Sequence, residues 1–212
     1  MKVFRNIRTL LASALFVGMV LGPESAHALD LAVMGSLNIG TQSQAGLAAT
    51  YTAGTVSNFG YGALLAFDSF PTIKSEFGIL SVKRGMALTS STGGTSTSTY
   101  NYLMVPYMFR FEPISLISVG AGAYYAYGMG NYNVTSTIPG LASADATYEA
   151  GGYSRSDFGL IAGISLKFPV LPLFSVRLDA DYALGLSNLY SSSAGNATFR
   201  DILLMAGLNF GF

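Results

Sequence analysis

Residues 157–186 read DFGLIAGISLKFPVLPLFSVRLDADYALGL. In the first half, Phe158, Leu160, Ala162, Ile164, Leu166 and Phe168 alternate with Asp157, Gly159, Ile161, Gly163, Ser165 and Lys167. In the second, Phe174, Val176, Leu178, Ala180, Tyr182, Leu184 and Leu186 alternate with Ser175, Arg177, Asp179, Asp181, Ala183 and Gly185. A period of two is the signature of a strand. One face is apolar throughout; the other mixes charge, glycine and medium-sized residues. A strand between hydrocarbon and a polar interior has this pattern.

The same period runs through six more stretches: about Leu31–Gly40, Asn58–Phe67, Ile73–Lys83, Tyr100–Phe111, Ser115–Tyr127 and Phe199–Phe212. With Arg155–Phe168 and Phe174–Ser187 they make eight segments, each near the ~9–11 residues that a tilted membrane strand needs. The connections alternate in length. Asp68–Thr72, Glu112–Ile114 and Pro169–Leu173 are short and carry proline. Thr41–Ser57, Arg84–Thr99, Gly128–Ser154 and Asn188–Thr198 are long. Short turns at one end and long loops at the other are the outer-membrane pattern.

Composition narrows the alternatives. Of 212 residues, half are hydrophobic and a tenth charged, against about a quarter charged in soluble domains. Mean hydropathy is +0.44, yet no stretch reaches the ~17–25 apolar residues of a membrane helix. A lipocalin-like soluble barrel would show a richly charged exterior. The 11 basic and 11 acidic residues cancel, which leaves no electrostatic footprint for nucleic acid. Phe67, Phe70, Phe109, Phe111, Phe168, Phe174, Phe210 and Phe212 gather at the short-turn end, and Tyr100, Tyr125, Tyr127 and Tyr153 at the other. Two such bands mark the two interfaces of a membrane barrel.

The N-terminus reads as an export signal. Lys2, Arg5 and Arg8 precede the apolar run Leu10–Leu21, and Ala26-His27-Ala28 supplies small-x-small. The reading is a signal peptide over 1–28 and one barrel domain over 29–212, with no further domain expected after it. Removing 1–28 takes three of 11 basic and one of 11 acidic residues, leaving 8 and 10.

Four motifs carry a resemblance. Tyr102–Arg110 (YLMVPYMFR), Ser118–Tyr125 (SVGAGAYY), Asp157–Ile164 (DFGLIAGI) and Leu178–Leu186 (LDADYALGL) are similar, in order and spacing, to consecutive strands of the small outer-membrane β-barrel domain family, porin-like or PorT-like. The terminal Phe212, alternating with Phe210 and Leu208, resembles the signal read by the barrel-insertion machinery. The resemblance spans about residues 100–212. Two positions depart from it: Met104 stands where the family has an acid, and Asp181 where it has Arg. One interior ion pair of the family is therefore missing.

The expected fold is all-β: an eight-stranded antiparallel up-and-down transmembrane barrel. The inward faces offer Arg110, Lys167 and Arg177 against Glu76, Asp157, Asp179, Asp181 and Asp201. Charges inside an apolar shell need partners, so these eight are read as a lumen network. A selective pore lining is the alternative. Interior glycines are read as room for bulky neighbours. The only histidine, His27, lies in the signal and there is no cysteine, so the usual bases, thiolates and soft metal ligands are missing. Asp179 and Asp181 share a face, but Arg177 beside them makes ion pairing the better reading than a catalytic dyad. No enzyme activity, cofactor or metal is expected. Thr89–Thr99 reads as a flexible uncharged loop. Loop 128–154, with Tyr132, Asp145, Tyr148, Glu149 and Tyr153, is the candidate surface for an extracellular partner. The other expected partners are outer-membrane lipid and, through Phe210 and Phe212, the insertion machinery; the chain is expected to be a monomer.

The signal reading predicts a mature protein that begins near Leu29 and fractionates with outer membranes. N-terminal sequencing checks it; an intact Met1 in the membrane-associated protein is the contrary result.

Overall fold

The computed structural model describes residues 29–44, 50–191 and 196–211. The proposed signal 1–28 and Phe212 lie outside them. The described chain is all strand and turn: β1 (Leu29–Gln44), β2 (Tyr51–Gly54), β3 (Val56–Phe70), β4 (Ile73–Ser90), β5 (Thr95–Ile114), β6 (Ile117–Gly128), β7 (Asn131–Ser136), β8 (Ala144–Thr147), β9 (Ser156–Leu171), β10 (Phe174–Gly185) and β11 (Ala197–Gly211).

Eight of these close a ring. β1 pairs with β3, β3 with β4, and so on through β5, β6, β9, β10 and β11 back to β1, every pair antiparallel. The register fixes the shape. A row of partners that leaves Asp30 runs through Ala66, Glu76, Met108, Gly122, Ile161, Ala183 and Asp201 and returns at Gly40, ten positions further along β1. Eight strands with that stagger tilt by about 40° and enclose a barrel of roughly 8 Å backbone radius. Such a bore is just wide enough for side chains.

Burial follows the alternation in the sequence. In β9, Asp157, Gly159, Ile161 and Ser165 are buried while Phe158, Leu160 and Ile164 are exposed. In β10, Ser175, Arg177, Asp179, Asp181 and Ala183 are buried against exposed Leu178 and Tyr182. β5 and β11 keep the same phase, with Tyr102, Met104, Met108, Arg110, Asp201, Leu203 and Met205 inside. The polar side chains are therefore the buried ones. An exterior of exposed Val33, Ile79, Leu103, Leu160, Ile164 and Leu204 has hydrocarbon as its solvent. Among the described residues no helix is long and apolar enough to cross a membrane; the crossing is made by strands. Phe70, Phe109, Phe111 and Phe168 ring the turn end of the exterior, and Phe59, Tyr61, Tyr125 and Phe158 the loop end.

Several boundaries differ from the sequence reading. The short connections shrink to Pro71–Thr72, Ser115–Leu116 and Pro172–Leu173, because Pro113 and Pro169 lie within strands. The Ser/Thr-rich stretch 89–99 is not a flexible loop. β4 runs to Ser90 and β5 starts at Thr95, paired up to Thr89↔Thr95. Thr is a good strand residue, and only Ser91–Gly94 turns, with Gly93 and Gly94 at positive φ. Arg84, placed at a loop start by the sequence, lies inside β4. Loop 128–154 carries the hairpin β7–β8, and β7 extends the sheet by pairing with β5.

The β3–β4 ladder stops at Tyr61↔Ser81, and β4 is met again only by β2, from Ala87 to Ser90. Between these pairings Asn38 of β1 donates through Nδ2 to the Lys83 carbonyl at 2.8 Å. On the other edge of β4, pairing skips Val105–Pro106, where proline has no N–H to give.

Gly163 shows how little room the bore has. A Cβ built there would lie 2.0 Å from Asp181 Oδ1 and 2.4 Å from the Ala180 carbonyl. Two neighbouring substitutions separate the faces. Ile164→Arg places charge on the outer wall and is expected to cost about 2–4 kcal/mol. Gly163→Ser, on the inner side, is also expected to destabilise, by about 1–3 kcal/mol of overpacking. Urea titrations followed by the gel-mobility shift of the folded barrel measure both; a neutral Gly163→Ser would show a lumen with space to spare.

Candidate functional site: the ion-packed lumen

Three groups of charged side chains occupy the bore. The central group joins Glu76, Arg110, Arg177, Asp179 and Asp181, all buried. Glu76 bridges two guanidiniums: Arg110 Nε donates to Oε1 at 2.7 Å, and Arg177 Nη1 lies 2.6 Å from Oε2. Arg177 grips Asp179 with both arms, Nε to Oδ1 at 2.9 Å and Nη2 to Oδ2 at 2.8 Å, and Nε reaches Ser165 Oγ at 3.1 Å. Arg110 Nη2 approaches Asp181 Oδ2 at 3.3 Å and Asp179 Oδ2 at 3.8 Å. The planar fork of arginine suits such bidentate sharing.

The reach of Arg110 is set by backbone register. Along one row the partners are Arg110, Gly120, Gly163 and Asp181. The two strands between the charged residues thus present glycine where a side chain would stand. A Cβ at Gly120 would meet Arg110 Cγ at 2.8 Å. The glycines between β5 and β10 are the space that the ion pair occupies.

The second group, nearer the loops, centres on Arg84, which is fully buried. It pairs with Asp157 and places Nε 3.0 Å from Asp201 Oδ2. Its guanidinium carbon stands 4.9, 5.0 and 5.4 Å from the ring centres of Tyr124, Phe199 and Tyr102. Cations over aromatic faces are held electrostatically. Tyr124 Oη donates to Asp157 Oδ2 at 2.9 Å, and Ser187 donates to the other carboxylate oxygen. The sequence reading named Asp157 and Asp201 but missed their cation. The signal was there: Glu76, Gly78, Leu80, Val82 and Arg84 share one parity, and extending β4 by a residue would have brought Arg84 inside.

The third group sits at the turn end. Asp30 accepts from Lys74 at 2.6 Å, Lys167 at 3.0 Å and Asn209 Nδ2 at 3.3 Å. Glu112 lies 3.2 Å from Lys74 and 3.5 Å from Lys167. Lys167 therefore does not join the central network. Its register partner is Arg177, and its longer, more flexible stem turns to the carboxylates at the mouth.

The loop end is closed by tyrosines. Tyr100, Tyr102 and Tyr148 are almost wholly buried and Tyr132 nearly so. Tyr100 stacks on Tyr132 at 5.8 Å and meets Tyr148, Tyr153 and Phe199 at 6.1, 5.4 and 5.8 Å. Tyr148 Oη donates to the Asn101 carbonyl at 2.9 Å. Tyr100 and Tyr153 thus belong to this plug and not to the outer aromatic band. Tyr132 and Tyr148 are likewise withdrawn from the surface of loop 128–154, because an aromatic ring is worth more in the mouth than in water. Asp145 and Glu149 remain exposed.

Arg155 holds this loop down. It donates to Glu149 at 2.5 and 3.0 Å and to the carbonyls of Gly128 and Gly130 at 3.1 and 3.2 Å, with its guanidinium 5.0 Å from the Tyr148 ring. The hydrogen bonds from Arg155 hold the Glu149 carboxyl down to about 2. No cluster of three metal-ligating side chains occurs among the described residues.

No protein-family model and no curated protein sequence matches the chain. Solved structures do. OprG from Pseudomonas aeruginosa is similar at a TM-score of 0.53 and 12% identity, over 91% of this chain and 99% of that one. Neisserial surface protein A (TM-score 0.46, 11% identity, 86% and 97% covered) and Ail from Yersinia pestis (0.45, 15%, 85% and 98%) are also similar. The fold is that of the small outer-membrane β-barrel proteins.

Two outcomes follow from the geometry. Arg84→Met strands Asp157 and Asp201 in the lumen and is expected to cost about 3–5 kcal/mol; Lys83→Met, one residue away on the outer face, is expected to stay within about 0.5 kcal/mol. Chemical unfolding of the two variants measures the difference. At the loop, the depressed carboxyl means that the Glu149–Arg155 pair contributes above the ordinary Glu value of about 4.3 and is lost as pH falls towards 2. An NMR titration should find Glu149 titrating near 2, and Arg155→Gln should return it to the ordinary carboxylate range.

Proposed function

We propose that this is a monomeric outer-membrane barrel with a structural or surface-interaction role, its lumen closed by its own side chains. The supporting observation is the occupied bore. Charge groups at three levels and the tyrosine plug above them leave Arg84, Tyr100, Tyr102, Met104, Met108, Tyr148, Phe199 and Leu203 essentially without exposure. A steady solute path needs an unfilled lumen and, as a rule, more strands. The eight residues singled out from sequence act in this reading as packing and mutual neutralisation rather than as selectivity groups. Export by the 1–28 signal, insertion through the Phe210–Phe212 end and residence in the outer membrane complete the proposal. The exposed part of loop 128–154 is its surface for an extracellular partner.

The barrel folded into a planar bilayer should give no steady conductance. Long-lived, uniform single-channel steps would establish the narrow-channel alternative, with Arg110 and Arg177 as its lining charges.

A further inference from the structure

The sheet has an open end outside the ring. β8 is its terminal strand and pairs with β7 alone, in an unbroken register from Asn131↔Thr147 to Val134↔Ala144. β7 in turn pairs with β5 from Ser96↔Ser136 to Thr99↔Asn133. The hairpin is therefore a ledge of sheet that stands beyond the barrel on the loop side.

Parity decides which backbone groups the ledge leaves free. In an antiparallel strand the N–H and C=O of one residue serve one neighbour, and those of the next residue serve the other. Thr137 N, directly after β7, donates to the Thr95 carbonyl at 2.8 Å. Ser136 N donates the other way, to Ser143 Oγ at 3.0 Å. Odd residues of β7 thus serve β5, and even ones serve β8. Val134↔Ala144 and Tyr132↔Ala146 are then the bonded pairs, and Asp145 and Thr147 turn their backbone outward. The Thr147 carbonyl is taken by Gly151 N at 3.2 Å. The Asp145 N–H and C=O and the Thr147 N–H have no hydrogen-bond partner among the described residues.

Open edges are usually blunted by lysine, proline or a bulge. β8 reads Ala-Asp-Ala-Thr and carries none of these; Ala144, Asp145 and Thr147 are exposed. The ledge is also held in place, by Tyr132 and Tyr148 in the plug and by Arg155 on Glu149. An edge ordered in advance spares a partner the cost of ordering it. Charge then says what suits it. Connections 45–55, 91–94 and 186–196 contain no charged residue, and 129–155 contains Asp145, Glu149 and Arg155. Glu149 and Arg155 satisfy each other. Asp145 makes no ion pair among the described residues and lies within the free edge. Ala146 packs towards the plug, so the Asp145 side chain, next in the alternation, points away from it.

Deepening the surface role proposed above and resting on it, we infer that β8 is a docking edge for an extended basic segment of another protein. The segment adds an antiparallel strand to β8. It bonds to the backbone of Asp145 and Thr147 and sets a lysine or arginine opposite the Asp145 carboxylate.

The test uses the full barrel folded in detergent micelles and three capped peptides. One is threonine–valine–lysine–valine–threonine; the second has glutamate for lysine; the third is the lysine form N-methylated at its central amide. The lysine peptide should bind in the ~0.1–1 mM range, about tenfold tighter than either of the others, with amide NMR shifts centred on Asp145 and Thr147. Asp145→Asn should bring the lysine and glutamate peptides to equal affinity. Thr147→Pro, which removes an edge N–H but no bond to β7, should weaken binding about tenfold, and Thr147→Ala should leave it unchanged. No binding of the lysine peptide, equal binding of all three, or wild-type binding by Thr147→Pro would overturn the docking edge. The gel-mobility shift of each variant reports whether the barrel is folded. Intact cells that fail to label at Asp145→Cys with a membrane-impermeant maleimide would defeat the surface placement rather than the edge.

Discussion

Backbone hydrogen bonding in hydrocarbon governs this molecule. A strand edge left open in lipid costs several kcal/mol per unsatisfied group, so the eight long strands must close on themselves. Closure at a stagger of ten residues sets the tilt and the bore. The bore then sets the interior: eight strands leave a width that side chains fill. On the edge that β4 shares with β3 and β2, the ladder is open between Ser81 and Ala87, and there the side chain of Asn38 donates to the Lys83 carbonyl.

The charged interior follows from that geometry. An ion in a low-dielectric shell is tolerable only with its counter-ions within contact, and the barrel meets this by register rather than by sequence proximity. Arg110 reaches Asp181 because Gly120 and Gly163 vacate the strands between them. Arg84 reaches Asp157 and Asp201 from the opposite wall, with aromatic rings around its guanidinium. Each group spans several strands, so each also ties the ring across its diameter.

The two ends serve different environments. At the turn end, Lys74 and Lys167 share Asp30 and Glu112. At the loop end, the plug is built from residues distant in sequence: Tyr100 and Tyr102 from β5, Tyr132 and Tyr148 from the hairpin, and Phe199 from β11. Arg155 fixes the hairpin over them. Outside the wall, Lys83 and Arg200 are exposed and make no ion pair with a carboxylate of the described residues.

Alternation in the sequence determined much of this: eight strands, their inner and outer faces, the direction of the short turns and the inward position of Glu76, Arg110, Asp157, Arg177, Asp179, Asp181 and Asp201. Parity is local, so it can be read one strand at a time. It could not set where strands end, because Thr and Ser serve a strand and a loop equally well; stretch 89–99 was misread and Arg84 missed with it. Nor could it choose partners. Which cation meets which carboxylate depends on stagger, a property of the closed ring that no single strand contains. The same holds for Tyr132 and Tyr148, whose inward turn required a mouth to fill.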